Sequence, residues 1–366
     1  MYFRKHDGVG FGSRGTIYHV SPGIVVKASH PSANDVSSEE EPPFIQEAKF
    51  YNRLNEQDDR CQHIIECFIA LPDFLFLSYY SNDSLHRRFF NRQERGKTPS
   101  GFWGHLIRVT EYEDPALIAR WIQQLTAAIG YVEKLGFCHN DIHPRNCLLD
   151  KNLNLKLIDF DRATPPGPLL EGSFAPWARK LIAGPLQNTY GLCSSQTEQF
   201  SVGTFLYYMV YGREPYEDIN LLDKDPSEMS RRFSHLEFPE LNRNEIFDFI
   251  ISCCWHNTYP NMELAAQDIQ SRTSEIALKP TYESINHIKG KRKCESLIRE
   301  GLLGPDFALR YQPIYRKYLL RIWKTLTGWP SIADVLKKFR SSWMWTSYRL
   351  WPSSTAPEFF VNDKSD

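Results

Sequence analysis

Five separated features, in one order, constrain this 366-residue chain more than its composition does. They are a glycine-rich run from Gly10 to Gly15, then Lys27, Glu47, the polar run His139-Asn140-Asp141-Ile142-His143-Pro144-Arg145-Asn146, and Asp159 within Leu157-Ile158-Asp159-Phe160-Asp161. Residues 16–20 and 24–28 are apolar, β-branched stretches around Ser21-Pro22-Gly23, where Pro fixes one dihedral and Gly frees another, so the pattern predicts a hairpin. Pro43 followed by Phe44, Ala48, Tyr51 and Leu54 at helical spacing predicts a helix that carries Glu47. Residues 63–71 and 74–77 predict two more strands, which completes a sheet of about five strands with one helix by residue 78.

Further along, Ser81-Asn82-Asp83-Ser84 predicts a helix cap before residues 85–90, and residues 93–100 read as a polar loop. Leu117, Ile118, Trp121, Leu125, Ala128, Ile129 and Val132 recur at helical spacing over residues 115–135, ending at Gly136. The polar run follows this helix directly. Short strands expected over residues 147–149 and 153–158 then return Asn146 and Asp159 to one edge. No repeat and no low-complexity tract interrupts the pattern.

Gly10-Phe11-Gly12-Ser13-Arg14-Gly15-Thr16-Ile17 fits G-x-G-x-x-G-x-V, in which glycines let backbone N–H groups approach phosphate without a Cβ in the way. With Ile24-Val25-Val26-Lys27, Glu47, the run 139–146 and Asp159, it resembles the protein kinase signature set. That resemblance implies an α+β, two-lobed fold, with residues 1–78 as a small β-rich lobe, 79–275 as a helical lobe and 276–366 as a basic, Trp-rich helical extension. It implies ATP and Mg2+ as cofactors. By the same resemblance Lys27 grips the α and β phosphates and pairs with Glu47, Asp141 is the base that accepts or orients the substrate hydroxyl proton, and Asn146 and Asp159 bind magnesium. Adenine is expected against Ile17, Val25 and Leu148, with its edge on the backbone of the linker 78–82 that includes Tyr79, and Leu77 as the gatekeeper. Cys147, beside Asn146, reads as a buried structural thiol.

Five departures from the pattern decide how such a protein would work. Asn140 replaces the arginine before the base, removing the usual partner of an activation-loop phosphate. His143 replaces a lysine two residues after the base, so charge near the γ-phosphate becomes that of a histidine. Asp161 replaces the glycine after Asp159-Phe160 and adds a carboxylate near the metals. Ala175-Pro176-Trp177 lacks the glutamate of A-P-E, and Glu198 stands where the pattern has an Asp opening the central helix. Phe200-Ser201-Val202-Gly203-Thr204 and Gly212-Arg213-Glu214-Pro215-Tyr216 resemble the buried helix and following turn of protein kinases, and the overall cast is that of divergent, fungal-type members.

Composition limits the remaining possibilities. A net charge of -1 argues against wholesale coating of nucleic acid. The eight cysteines show no C-x-x-C or zinc-ligand spacing, the start does not read as a signal peptide, and no apolar run approaches the ~20 residues a bilayer requires, so an intracellular, non-spanning protein is expected. Charge is uneven: residues 287–351 hold 14 Lys/Arg against four Asp/Glu. Helical faces expected over 313–329 and 332–351 would suit an acidic partner or a lipid surface, or would pack on the acidic large lobe. Three functions stay open on sequence: an ATP-dependent Ser/Thr protein kinase that needs no loop phosphate, a nucleotide-binding pseudokinase, and a small-molecule phosphotransferase of the aminoglycoside or choline kinase type.

Overall fold

The first strand pair is antiparallel because Gly12, whose N–H donates to the carbonyl of Gly15 at 2.9 Å, turns the chain back on itself. The computed structural model describes residues 3, 6, 8–12, 14–29, 42–81, 84–97, 103–219, 226–283 and 285–304. Strands β1 (Gly8–Phe11), β2 (Gly15–Ser21), β3 (Ile24–Ser29), β4 (Cys67–Leu71) and β5 (Phe74–Ser78) form one antiparallel sheet in the order β1-β2-β3-β5-β4. Helix α1 (Ile45–Asn55) buries Glu47, Ala48, Phe50, Tyr51 and Leu54. Gly23 takes a positive φ of 74° in the β2–β3 turn, a conformation that costs glycine nothing.

Helix α2 (Leu85–Phe90) starts at Ser84, whose hydroxyl accepts the Arg87 N–H. Residues 93–97, read from sequence as loop, instead form strand β6 (Gln93–Lys97) against β7 (Trp103–Val109). The hairpin carries no apolar alternation to betray it, because it is held by polar pairs: Arg108 to Glu94 at 2.6 Å, Arg95 to Glu217, and Gln93 Nε2 to the carbonyl of Gly212 at 2.5 Å.

The helical lobe is organised by α3 (Pro115–Lys134), capped by Asp114 and opened by Pro115, and by α4 (Ser195–Tyr211), which is buried nearly all round, as a central helix must be. Three further helices follow, α5 (Pro226–Ser234), α6 (Glu245–Trp255) and α7 (Met262–Thr273), with α6 packed on α4 and α7 on α3. A short hairpin, β8 (Cys147–Leu149) with β9 (Leu155–Leu157), leaves the end of the polar run beside Ile158, whose N–H donates to the carbonyl of Asn146 at 2.9 Å. These residues give the α+β, two-lobed protein kinase-like architecture expected from sequence.

Two compact units separate in the chain, one within residues 6–291 and the other holding the described residues 3 and 292–304. In the second, the later turns of α8 (His287–Arg299) bury Cys294 and Ile298. The acidic run Glu39-Glu40-Glu41, Asn82, and the helices expected over 313–329 and 332–351 lie outside the described residues. No helix among the described residues is long and apolar enough to cross a membrane, and none of the eight cysteines is paired.

Helix α4 positions the polar run from below. Glu198 is fully enclosed, and its two carboxylate oxygens accept the backbone N–H groups of His139 at 3.1 Å and Asn140 at 2.9 Å. Burial raises its pKa to about 7 against the opposing pull of those two amides. A group raised in this way stabilises fully below its unfolded value near 4.5 and loses that contribution as pH climbs through about 7. Glu198→Gln turns an amide NH2 onto one of the two backbone donors, so it should cost about 1–3 kcal/mol. Its deficit relative to wild type, read from denaturant melts, should shrink as pH rises from 4.5 to 7. Gly203 of α4 has a different role: a Cβ there would come within 2.9 Å of Cys254 and Trp255 on α6. Gly203→Val should lower stability by about 1–3 kcal/mol through overpacking, seen as a fall in Tm.

Candidate active site

Lys27 lies in the middle of β3, paired across the sheet with Ile17 on one side and Leu75 on the other, which fixes the direction of its side chain. Its Nζ sits 2.7 Å from Glu47 Oε2 and 2.6 Å from Asp159 Oδ1. Burial would lower the lysine pKa, yet the two carboxylates outweigh it and hold the ammonium firmly protonated. Burial, working against the ammonium, moves Glu47 the other way and pushes it up to about 7. Three elements far apart in sequence therefore converge on one cation.

Asp159 has a left-handed backbone, φ 65°, which costs a non-glycine residue about 1–2 kcal/mol. It is held there by its neighbour. The Phe160 ring is fully buried and stacks on Phe50 of α1 at 3.9 Å, meets Tyr51 at 5.5 Å and meets the His139 ring at 4.7 Å. One aromatic cluster thus locks α1, the polar run and the Asp159 turn together. His139 completes the lock: its Nε2 faces the carbonyl of Ile158 at 3.1 Å, and its Nδ1 accepts the Asp141 N–H at 3.3 Å, an arrangement that suits the neutral ring and agrees with a pKa lowered by burial.

Asn146 donates to both the backbone carbonyl and Oδ2 of Asp141, each at 2.9 Å. This turns its amide oxygen away from Asp141. His143 Nε2 lies 3.5 Å from Asp141 Oδ2. Burial alone would raise Asp141, but the hydrogen bond and charge of His143 prevail and hold the carboxyl at about 2. Asp141 is therefore ionised across the neutral range, with a polar frame that fixes its orientation. Asn146 and Asp159 offer an amide and a carboxylate oxygen, a donor set that fits a hard divalent cation whose remaining ligands come from phosphate and water. Among the described residues no group of three or more His, Cys, Asp or Glu gathers to hold a metal without such help.

The expected apolar positions lie on β2, β3, β5 and β8. Val25 and Leu77 face each other across β3 and β5 and are buried, while Ile17 and Leu148 are partly buried against the same core. Tyr79 leaves β5, with its N–H on the carbonyl of Gly23 at 2.9 Å and its ring 4.8 Å from His19. The three glycines differ in kind. A side chain at Gly15 would run into the carbonyl of Ala28 and the ring of Phe44, so packing requires glycine there. Gly12 has room for a Cβ, and one at Gly10 would press only on the end of the Ile17 side chain at 3.3 Å. Cys147 is fully buried and its thiol is pushed well up by burial, which marks it as inert.

Two groups that matter here were not assigned in sequence as site residues. Arg14 reaches Asp161, with Nε 3.4 Å from Oδ2, and Glu198 holds the backbone of the polar run as described above. The segment after Asp161 is anchored by side chains that sequence patterning gives no reason to single out. Asn140, at φ 64°, donates to the carbonyl of Arg162 at 3.0 Å, and its own carbonyl accepts the Ser173 hydroxyl at 3.1 Å. Ser201 and Thr204 of α4 donate to the carbonyls of Trp177 at 2.8 Å and Pro176 at 3.0 Å.

Comparison with known proteins gives the same direction as the geometry. Over 117 residues the chain is 32% identical to the maternal embryonic leucine zipper kinase of Xenopus tropicalis, covering 30% of this chain and 17% of that protein. It is 31% identical over 123 residues to the Citron Rho-interacting kinase of Homo sapiens, 31% of this chain and 6% of that protein. CBL-interacting serine/threonine-protein kinase 7 of Arabidopsis thaliana is 24% identical over 180 residues, 45% of this chain and 42% of that protein. The chain thus spans less than half the length of each of these relatives. The model of the protein kinase domain family matches residues 3–271, which hold the sheet, the helices from α1 to α6 and every site residue described above, and the chain belongs to that family.

Proposed function

We propose that this chain is an ATP- and Mg2+-dependent protein kinase that transfers the γ-phosphate to Ser or Thr of protein substrates, and that it does so without phosphorylation of its activation segment. The observation that carries the first part is the convergence of Glu47 and Asp159 on Lys27 beside the Asp141–Asn146 pair. A magnesium ion there would neutralise charge on the phosphates. Asn146 and Asp159 supply its protein oxygens. Lys27, aimed by Glu47, meets the α and β phosphates, and Ile17, Val25, Leu77, Tyr79 and Leu148 line the adenine slot. Asp141 orients the substrate hydroxyl and takes its proton, steadied by Asn146, while the hydrogen bond of His143 helps to keep that carboxylate ionised.

Independence from loop phosphorylation is supported by Asn140. Where related proteins place an arginine that needs a phosphate partner, the Asn140 amide and carbonyl tie the polar run directly to Arg162 and Ser173. Asparagine also tolerates the left-handed backbone required at that position. Trp177, without the anchoring carboxylate, is held by the Ser201 hydroxyl on its carbonyl. On this reading residues 1–78 are the small lobe, 79–275 the large lobe and 276–366 a basic extension whose 14 Lys/Arg over 287–351 meet an acidic partner. The eight unpaired thiols support an intracellular site of action.

The test is Mg2+-dependent transfer of the γ-phosphate from ATP to a panel of proteins, peptides and small alcohols, using protein treated with phosphatase. Transfer to Ser/Thr by the dephosphorylated protein is the expected result. Asp141→Asn should reduce it by about 10²–10⁴-fold, the range for losing a general base, and Asp159→Asn, which removes the carboxylate ligand of magnesium, should abolish it. Transfer confined to small alcohols would replace this reading with a small-molecule phosphotransferase. Nucleotide binding without transfer would replace it with a pseudokinase. A second measurement concerns His143. His143→Ala removes the hydrogen bond and the largest of the charges that hold Asp141 at about 2 and leaves only the smaller pulls of His139 and Arg162 against burial, so the acid limb of kcat/KM should move to higher pH. An unmoved limb would mean that His143 does not set the ionisation of Asp141.

A further inference from the structure

One departure from the family pattern, Asp161, meets a residue of the glycine run in space. Arg14 is the fifth residue of the glycine run and Asp161 stands where the pattern has glycine. The Arg14 Nε lies 3.4 Å from Asp161 Oδ2, and its Nη1 lies 3.5 Å from the carbonyl of Pro43, just before α1. The Asp161 side chain is 13% exposed and the Arg14 side chain 48%. The other Asp161 oxygen, Oδ1, is buried and has no hydrogen-bond partner among the described residues. The glycine turn, the approach to α1 and the Asp159 turn are therefore tied at one point.

The charge around this point is unbalanced. Glu47, Asp159 and Asp161 crowd two cations, and Lys27 is already committed to the first two. Arg14 is the cation left for Asp161, and it holds it through one guanidinium nitrogen with a half-exposed side chain, a geometry that is easily exchanged. Phosphate oxygens offer that guanidinium a two-pronged, charge-assisted contact that a single carboxylate oxygen does not. The end of the cleft where this exchange occurs is fixed by sequence proximity. Asp161 lies two residues beyond Asp159, and Asp159 is the carboxylate that touches Lys27.

We propose that Arg14 and Asp161 form a latch released by nucleotide, in which the guanidinium rests on Asp161 in the free protein and transfers to the phosphates of a bound nucleoside polyphosphate. No covalent bond changes; one ion pair is exchanged for another. The latch rests on the nucleotide-binding part of the function proposed above. It makes the two residues act with opposite sign, since Arg14 favours the bound state and Asp161 competes with it. A merely structural ion pair would make them act alike.

Calorimetric titration of adenosine, ADP and ATP at constant Mg2+ into wild type, Arg14→Ala, Asp161→Asn and the double variant tests this. Arg14→Ala should weaken ATP by about tenfold, the loss of one charge-assisted contact, weaken ADP less and leave adenosine unchanged. Asp161→Asn should tighten ATP by roughly threefold, the size expected for freeing a half-exposed pair. The double variant should match Arg14→Ala, because the latch has nothing left to release. Weaker ATP binding in Asp161→Asn would overturn the latch and make that carboxylate part of the magnesium site. An equal loss of adenosine and ATP in Arg14→Ala would overturn it in favour of a purely structural pair, and so would unchanged affinity for ATP. All three results leave the kinase reading intact. Conversely, the expected affinities without any phosphate transfer would defeat the kinase reading and uphold the latch, and absence of ATP binding in all four proteins would defeat both.

Discussion

The ammonium of Lys27 is the contact on which the rest of the site depends. It is the one cation shared by carboxylates from the helix beside the small sheet and from the turn after β9, at 2.7 and 2.6 Å. A buried ammonium is costly unless paired, and a buried carboxylate equally so. Removing Lys27 would leave both carboxylates without their cation. The elements that supply them, β3, α1 and the Asp159 turn, are accordingly fixed by packing as well as by charge. Phe50 and Tyr51 of α1 close on Phe160, so the rings that bury apolar surface also set the distance at which the charges meet.

A second layer of order lies beneath the polar run and is built from backbone amides. Glu198 accepts two of them from a buried position on α4, His139 takes a third through its neutral ring, and Asn146 steadies Asp141 from the other side. Hydrogen bonds of this kind contribute modestly when made and cost more when left unmade. Their value is in fixing geometry. The polar run lacks regular secondary structure apart from a short 3-10 turn at Pro144–Asn146, and it is these bonds that give it a single conformation.

The residues that depart from the family pattern find local partners. Asn140 bonds to the segment that follows Asp161, Trp177 is held through its own carbonyl, and Glu198 makes both bonds that its position requires. In sequence each of these looks like a lost function. In three dimensions each is a different solution to the same local requirement, and Asp161 likewise finds a partner, Arg14 of the glycine run.

How much was legible in the sequence follows from the range of the interactions involved. Strands β2, β3 and β5 and helices α1 and α3 could be read from apolar periodicity and turn chemistry, because those signals are local. Lys27, Glu47, Asp141, Asn146 and Asp159 could be located because their order and spacing are themselves a signal, and the structure joins Lys27 to Glu47 and Asp159 and Asn146 to Asp141. The β6–β7 hairpin was not legible, since it is held by Arg95, Arg108 and Gln93 through polar contacts, one of them with Glu217 more than a hundred residues away, instead of by an apolar face. The packing of Gly15 against Ala28 and Phe44, which leaves no space for a Cβ, was not visible in the glycine run. The sequence by itself determined which elements form and which chemical groups the chain carries, because propensity and patterning act over a few residues. Only the tertiary structure decided which charges share a partner, how burial moves their ionisation and what compensates each departure, because those depend on distances across the fold that no local pattern encodes.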